Sequence, residues 1–252
     1  EEEGVELIHY AADAGINILD CWMPDPKSRD IIGLGIRDDR AHWYIQGHLG
    51  STWKNGQYYR TRDLIYVRPA FEDLLTRLQT DYIDLGMIHY VDSEEEWEQI
   101  LHSDYLSYVM ELKKTGVIHH IGLSSHNPKV AVKAAESGFV EMILFSVNPA
   151  FDLLPANEVL DDYFVQETYD GALHGIDPAR AELYSLCEQN GVGITVMKAF
   201  GGGDLLSAAL SPAGKALTPY ECLHYALTRP AVAAVLCLSL IHISEPTRLL
   251  SI

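Results

Sequence analysis

"YLSYVMELKKTGVIHHIGLSSHN", Tyr105 to Asn127, contains the unit from which the fold can be read. Its first half, "YLSYVMELKKTG", has apolar residues at helical spacing. Its second half, "VIHHIGLSS", is a mostly apolar run of strand length. The same order recurs on both sides. Upstream, "GVELIHYAADAG" precedes "INILD", "SRDIIGLGIRD" precedes "HWYIQGH", and "AFEDLLTRLQT" precedes "YIDLGMIH". Downstream, "PKVAVKAAESG" precedes "EMILFSVN", "ARAELYSLCEQNG" precedes "VGITVMK", and "TPYECLHYALTRP" precedes "AVAAVLC". Seven helix-then-strand units with apolar strands predict an α/β fold with parallel strands and helices outside them.

An open doubly wound sheet and a (β/α)8 TIM barrel both satisfy that alternation. No G-x-G-x-x-G follows an early strand, which weakens the dinucleotide-binding open sheet. Nearly every strand also finishes on a polar residue, namely Asp20, His48, His89, Ser124, Asn148 and Lys198. Barrels gather their chemistry at the C-terminal strand ends, so this pattern favours the barrel. Because the first element is a helix, the expectation is an incomplete (β/α)8 barrel lacking its first strand and its C-terminal region. The partial barrel is assigned to residues 1–237. The remainder, 238–252, opens with "LSLIHISEPTR", which reads as a translated transposon-based sequencing adapter and is expected to be non-native.

With 48% hydrophobic residues and mean hydropathy near zero, the chain can bury a sizeable core. Its formal net charge of −18 argues against broad phosphate-backbone contact, hence against nucleic acid as a partner. No apolar run is long enough to cross a bilayer, so no membrane partner is expected. The four cysteines, Cys21, Cys187, Cys222 and Cys237, show no C-x-x-C spacing, which suits free thiols in a reducing cytoplasm. The long segment "PAFDLLPANEVLDDYFVQETYDGALHGID" has few helix signals, and its acidic residues would discourage anionic substrates.

Several of these stretches resemble the aldo-keto reductase superfamily over Glu1 to Cys237. "AADAGINILD" resembles its helix-strand entry and "DYIDLGMIHYVDS" its fourth-strand signature. "KKTGVIHHIGLSSHN" is similar to the segment leading to its fifth strand, and "VGITVMKAFGGGDLL" to its seventh. The likeness is strongest to bacterial members that often carry an iron–sulfur segment after the barrel, which would fall beyond Cys237. It implies hydride transfer between NADPH and a carbonyl by an oxidoreductase using an Asp, Tyr, Lys and His at successive strand ends. The family's D-T-A-x-x-Y-G-x-S-E-x-x-x-G run aligns without a gap onto Asp20 to Gly33. Asp20 keeps the aspartate, but Asp25 stands at the tyrosine position and Pro26 at the following glycine. The lysine position falls on His48, and the histidine is present as His89. On the cofactor side Ser124 matches, Ser125 replaces an asparagine and Leu144 occupies the glutamine position. Asn148, Lys198, Gly201, Gly202 and Gly203 complete the implied NADPH contacts, the glycines offering backbone amides to a diphosphate.

Three functions compete for this altered set. The first is a reductase acting on a small-molecule carbonyl with a substituted tetrad of Asp20, Asp25, His48 and His89. In it a histidine serves as acid, or Tyr58 or Tyr59 reaches in from the long loop "WKNGQYYRTRD". The second is an enzyme that binds a divalent metal through Asp20, His48 and His89, two imidazoles and a carboxylate at neighbouring strand ends. The third is an inactive relic retained as a binding or regulatory module.

Overall fold

Residues 2–169 and 175–237 are described by the structure, a computed structural model. The tail 238–252 lies outside the described residues, as does part of the long acidic segment. The chain divides into two compact units, the first comprising residues 1–124 and 137–142 and the second the rest.

In the first unit, α1 (Glu2–Asp13) leads to β1 (Ile18–Cys21), α2 (Pro26–Ile36), β2 (Tyr44–Leu49), β3 (Ser51–Lys54) and β4 (Gln57–Arg60). These are followed by α3 (Leu64–Arg77), β5 (Ile83–Ile88), α4 (Glu94–Leu101), α5 (Asp104–Lys114) and β6 (Ile118–Ser125). The helix starts follow from local chemistry. Asp25, Asp63, Ser93 and Ser103 each cap a helix by accepting a hydrogen bond from a backbone N–H in its first turn. β1, β2, β5 and β6 pair in parallel, with Asp20 beside Gln46, His48 beside Met87, and Leu49 beside Ile88. Ile45, Leu49, Leu74, Ile83, Met87 and Ile118 are fully buried and fill the space between strands and helices. Gly47 allows that closeness, because a Cβ there would lie 2.6 Å from Ile83 and 2.7 Å from Leu74.

One element departs from the sequence expectation. Trp53 to Asp63 reads as a long loop, yet its first half belongs to an antiparallel hairpin of β3 and β4, with Trp53 paired to Tyr58. Asn55 and Gly56 form its two-residue turn at φ 54° and 76°, the left-handed conformation that Asn-Gly supplies at low cost.

The second unit contains α6 (Pro128–Glu136), β7 (Met142–Ser146), α7 (Pro178–Asn190), β8 (Gly193–Met197), α8 (Pro219–Leu227) and β9 (Val232–Val235). β8 pairs in parallel with β9. The segment after β7 makes three short 3-10 turns, and Phe151, Leu154 and Tyr163 pack there with Phe200, Leu205 and Cys222. Beside them Asp152 and Arg180, both wholly buried, form an ion pair at 3.2 Å. Tyr184 and Tyr225 donate to the same carboxylate at 2.6 and 2.8 Å. Burial pushes the Asp152 carboxyl up, against the opposing pull of Arg180.

All four cysteines are free, as the spacing implied. Among the described residues no helix is long and apolar enough to cross a membrane.

Candidate active site

β1, β2 and β5 lie side by side, so residues at their C-terminal ends are brought together without any local motif. Asp20 is the third residue of β1 and His48 the fifth of β2, while His89 follows the last residue of β5. The His89 backbone N–H donates to the Leu49 carbonyl at 3.1 Å, continuing the ladder by one step. This placement yields a line of contacts. His48 Nε2 lies 2.8 Å from Asp20 Oδ1, and His48 Nδ1 lies 2.8 Å from His89 Nδ1. Gln46, which shares the His48 face of β2, donates its amide to Asp20 Oδ1 at 3.1 Å and is fully buried.

The line continues into the hairpin. The Tyr58 hydroxyl lies 2.7 Å from His89 Nε2, and the two rings meet edge to face at 5.8 Å. Trp22, partly exposed, contacts the Tyr58 ring at a centroid distance of 5.9 Å. Burial pushes the Tyr58 phenol up, so it holds its proton more firmly than a free tyrosine. The hairpin is fastened to the end of β5 by two arginines. Arg62 donates to the carbonyls of His89 and Tyr90, Arg60 donates to Tyr90, and both pair with Glu96. These bonds hold Tyr90 at φ 48°, a left-handed conformation a tyrosine seldom adopts.

Asp25 stands apart from this chain. Its carboxylate accepts from both the Ser28 N–H and the Ser28 hydroxyl at 2.9 Å, which makes it the N-cap of α2. The proposed metal triad is replaced by a linear arrangement. His48 directs one ring nitrogen at Asp20 and the other at His89, whereas ligands of one ion must aim their lone pairs at a common centre. Among the described residues no group of three or more His, Cys, Asp or Glu side chains is arranged to hold a metal ion. The iron–sulfur expectation concerns sequence outside the described residues.

The remaining candidates lie at other strand ends. Ser124 is buried at the end of β6. The Ser125 hydroxyl turns back onto the Asn127 backbone, donating to its carbonyl at 3.2 Å and accepting from its N–H at 3.1 Å. Asn148 donates to the Lys198 carbonyl at 2.9 Å and accepts from the Ala150 and Phe151 N–H groups, so it links the ends of β7 and β8. Lys198 has φ 58° and is followed by Gly201, Gly202 and Gly203 at φ 58°, 69° and 105°. A Cβ on Gly202 would lie 2.8 Å from Phe164, so only glycine fits there. The Lys198 ammonium sits 5.6 Å over the Phe164 ring, and burial pushes its pKa down.

Gln46 and Tyr58 join this line of contacts beside Asp20, His48 and His89. Gln46 carries a sequence signal, since it is two residues before His48 on the same strand face. Tyr58 carries one too: Asn55-Gly56 marks a hairpin that returns the chain toward the strand it has just left.

The chain resembles the uncharacterized oxidoreductase YqkF of Bacillus subtilis, with 27% identity over 159 residues, 62% of this chain and 50% of that protein. The structure resembles aldo-keto reductase AKR11C1 from Bacillus halodurans in its holo form, with 22% identity and a TM-score of 0.65 over 92% of this chain and 75% of that one. It also resembles an aldo/keto reductase from Klebsiella pneumoniae solved with NADP and acetate, with 16% identity and a TM-score of 0.57 over 100% of this chain and 80% of that one. These likenesses show the (β/α)8 barrel fold. The chain spans half or less of the length of the curated relatives it matches. The aldo/keto reductase family model matches residues 1–235, and the chain therefore belongs to that family.

Proposed function

We propose that this protein is an oxidoreductase that reduces a neutral aldehyde or ketone with NADPH, using Asp20, His48 and His89 to manage the proton. The observation that carries the reading is the unbroken line of hydrogen bonds from Asp20 through His48 to His89 at three adjacent strand ends. When bound, the reduced nicotinamide supplies a hydride to the carbonyl carbon, so the chain's own residues need to supply one proton to the carbonyl oxygen.

The residues of the second unit suit an anionic cofactor. Lys198 is a half-buried cation with no carboxylate ion pair among the described residues, and burial has already lowered its pKa. An ammonium so placed gains from a phosphate beside it. Lys198 and Gly201 to Gly203 would hold the diphosphate. Ser125 and Asn148, whose side chains are engaged with backbone groups, would stabilise the loops around it. The carboxylate-rich chain, at net charge −18, supports neutral over anionic carbonyl substrates.

The test is NADPH consumption followed by absorbance with a panel of neutral and anionic carbonyl compounds, comparing wild type with His48→Leu. The expected result is turnover of neutral substrates that falls about 10²-fold in the variant. NADPH binding without turnover on any carbonyl, or equal turnover by His48→Leu, overturns the reading.

A further inference from the structure

We propose that Tyr58, carried on the hairpin of β3 and β4, is the catalytic proton donor, and that His89, His48 and Asp20 form a reversible relay behind it. This rests on the oxidoreductase reading above and assigns its proton to a residue outside the altered tetrad.

The hydrogen-bond pattern decides where each proton lies. With Asp20 as a carboxylate, Oδ1 can only accept, so His48 carries its proton on Nε2. A neutral His48 then offers Nδ1 as an acceptor, which places the His89 proton on Nδ1. His89 Nε2 is left as an acceptor, and the Tyr58 hydroxyl must donate to it. All three links of the neutral relay therefore point inward, from Tyr58 to Asp20. In that state Tyr58 is a proton acceptor toward the outside. An alcohol can give its proton to the phenol oxygen while the phenol proton passes to His89 Nε2, leaving the imidazole pair with one positive charge.

Adding one proton to the pair reverses the outer link. His48 still donates to Asp20, one proton is shared between the two Nδ1 atoms, and His89 Nε2–H now donates to the Tyr58 oxygen. The phenol proton is then free to point outward. When hydride reaches the carbonyl carbon, the C=O π bond breaks toward oxygen. That oxygen takes the Tyr58 proton, and Tyr58 regains one from His89 Nε2–H. The pair returns to neutral and is recharged by one proton from solvent, so each reduction consumes one hydride and one proton.

The surroundings suit this task. Groups facing the pair include Asp20 from β1, Tyr58 from β4 and the Tyr90 ring, 6.2 Å from His89. The charges of Arg60, Arg62 and Glu96 act on Tyr58, and the two arginines fix the hairpin to the carbonyls of His89 and Tyr90. Trp22 forms an apolar wall beside the phenol. Tyr58 is half-buried, with its ring held against Trp22 and His89.

The experiment combines kinetics with ¹⁵N NMR of the histidines on the whole chain. Tyr58→Phe keeps the ring and its contact with Trp22 but removes the proton. It is expected to lower carbonyl reduction about 10²-fold or more while the fold, read by circular dichroism, is unchanged. In wild type at alkaline pH the spectra should show His89 protonated on Nδ1 and His48 on Nε2. On acidification a proton should appear at His89 Nε2. Equal reduction by wild type and Tyr58→Phe overturns the proposal, as does a neutral relay with the His89 proton on Nε2. If the wild type reduces no carbonyl, the oxidoreductase reading fails, and the spectra still decide the relay independently.

Discussion

At the scale of single residues, Asp25 is architecture: its carboxylate caps α2. Asp25 stands where a family tyrosine is expected and caps α2 through two bonds to Ser28. A cap of this kind contributes about 1 kcal/mol. Asp25→Ala is therefore expected to lower the unfolding free energy by about that amount, and Asp25→Ser to recover most of it. Chemical denaturation checks this; a neutral Asp25→Ala would deny the capping role. Asp20, His48 and His89 are legible in sequence because each interrupts an apolar strand at its end. Tyr58 is harder to assign, because its partner lies 31 positions away and only the folded hairpin reveals which of two adjacent tyrosines turns inward.

The hairpin of β3 and β4 is the element that carries Tyr58 to His89. Its entry is Gly50, at φ 100°, where a Cβ would lie 2.8 Å from the Thr61 carbonyl and would also strike Arg62. Gly50→Ala combines an unfavourable backbone region with a clash against the arginine that holds the hairpin. It should destabilise the protein by about 1 kcal/mol or more and reduce carbonyl reduction together with it. Thermal unfolding and turnover measured on one preparation test this; full turnover in Gly50→Ala would separate the hairpin from catalysis. The helices and long strands are legible because periodicity of 3.6 and continuous apolar runs are strong signals. The hairpin is short, its outer strand is mostly exposed, and its alternation is weak beside the flanking charges. Only Asn55-Gly56 announces it.

For the molecule as a whole, seven helix-strand units are readable from sequence, and the described residues contain all seven strands. The long acidic segment is less legible. The order of its described part comes from the Phe151–Tyr163–Leu205 packing and the buried Asp152–Arg180 pair, which join residues far apart in sequence. In the relay proposed above, reduction would draw on the charged imidazole pair and alcohol oxidation on the neutral one. The most direct test is the pH dependence of both directions on one enzyme preparation, with NADPH and a carbonyl in one assay and NADP with the product alcohol in the other. Reduction should decline and oxidation should rise with pH through a common midpoint, and both should collapse in Tyr58→Phe. Midpoints that differ, or rates in both directions that move together with pH, would contradict a proton relay built from Asp20, His48, His89 and Tyr58.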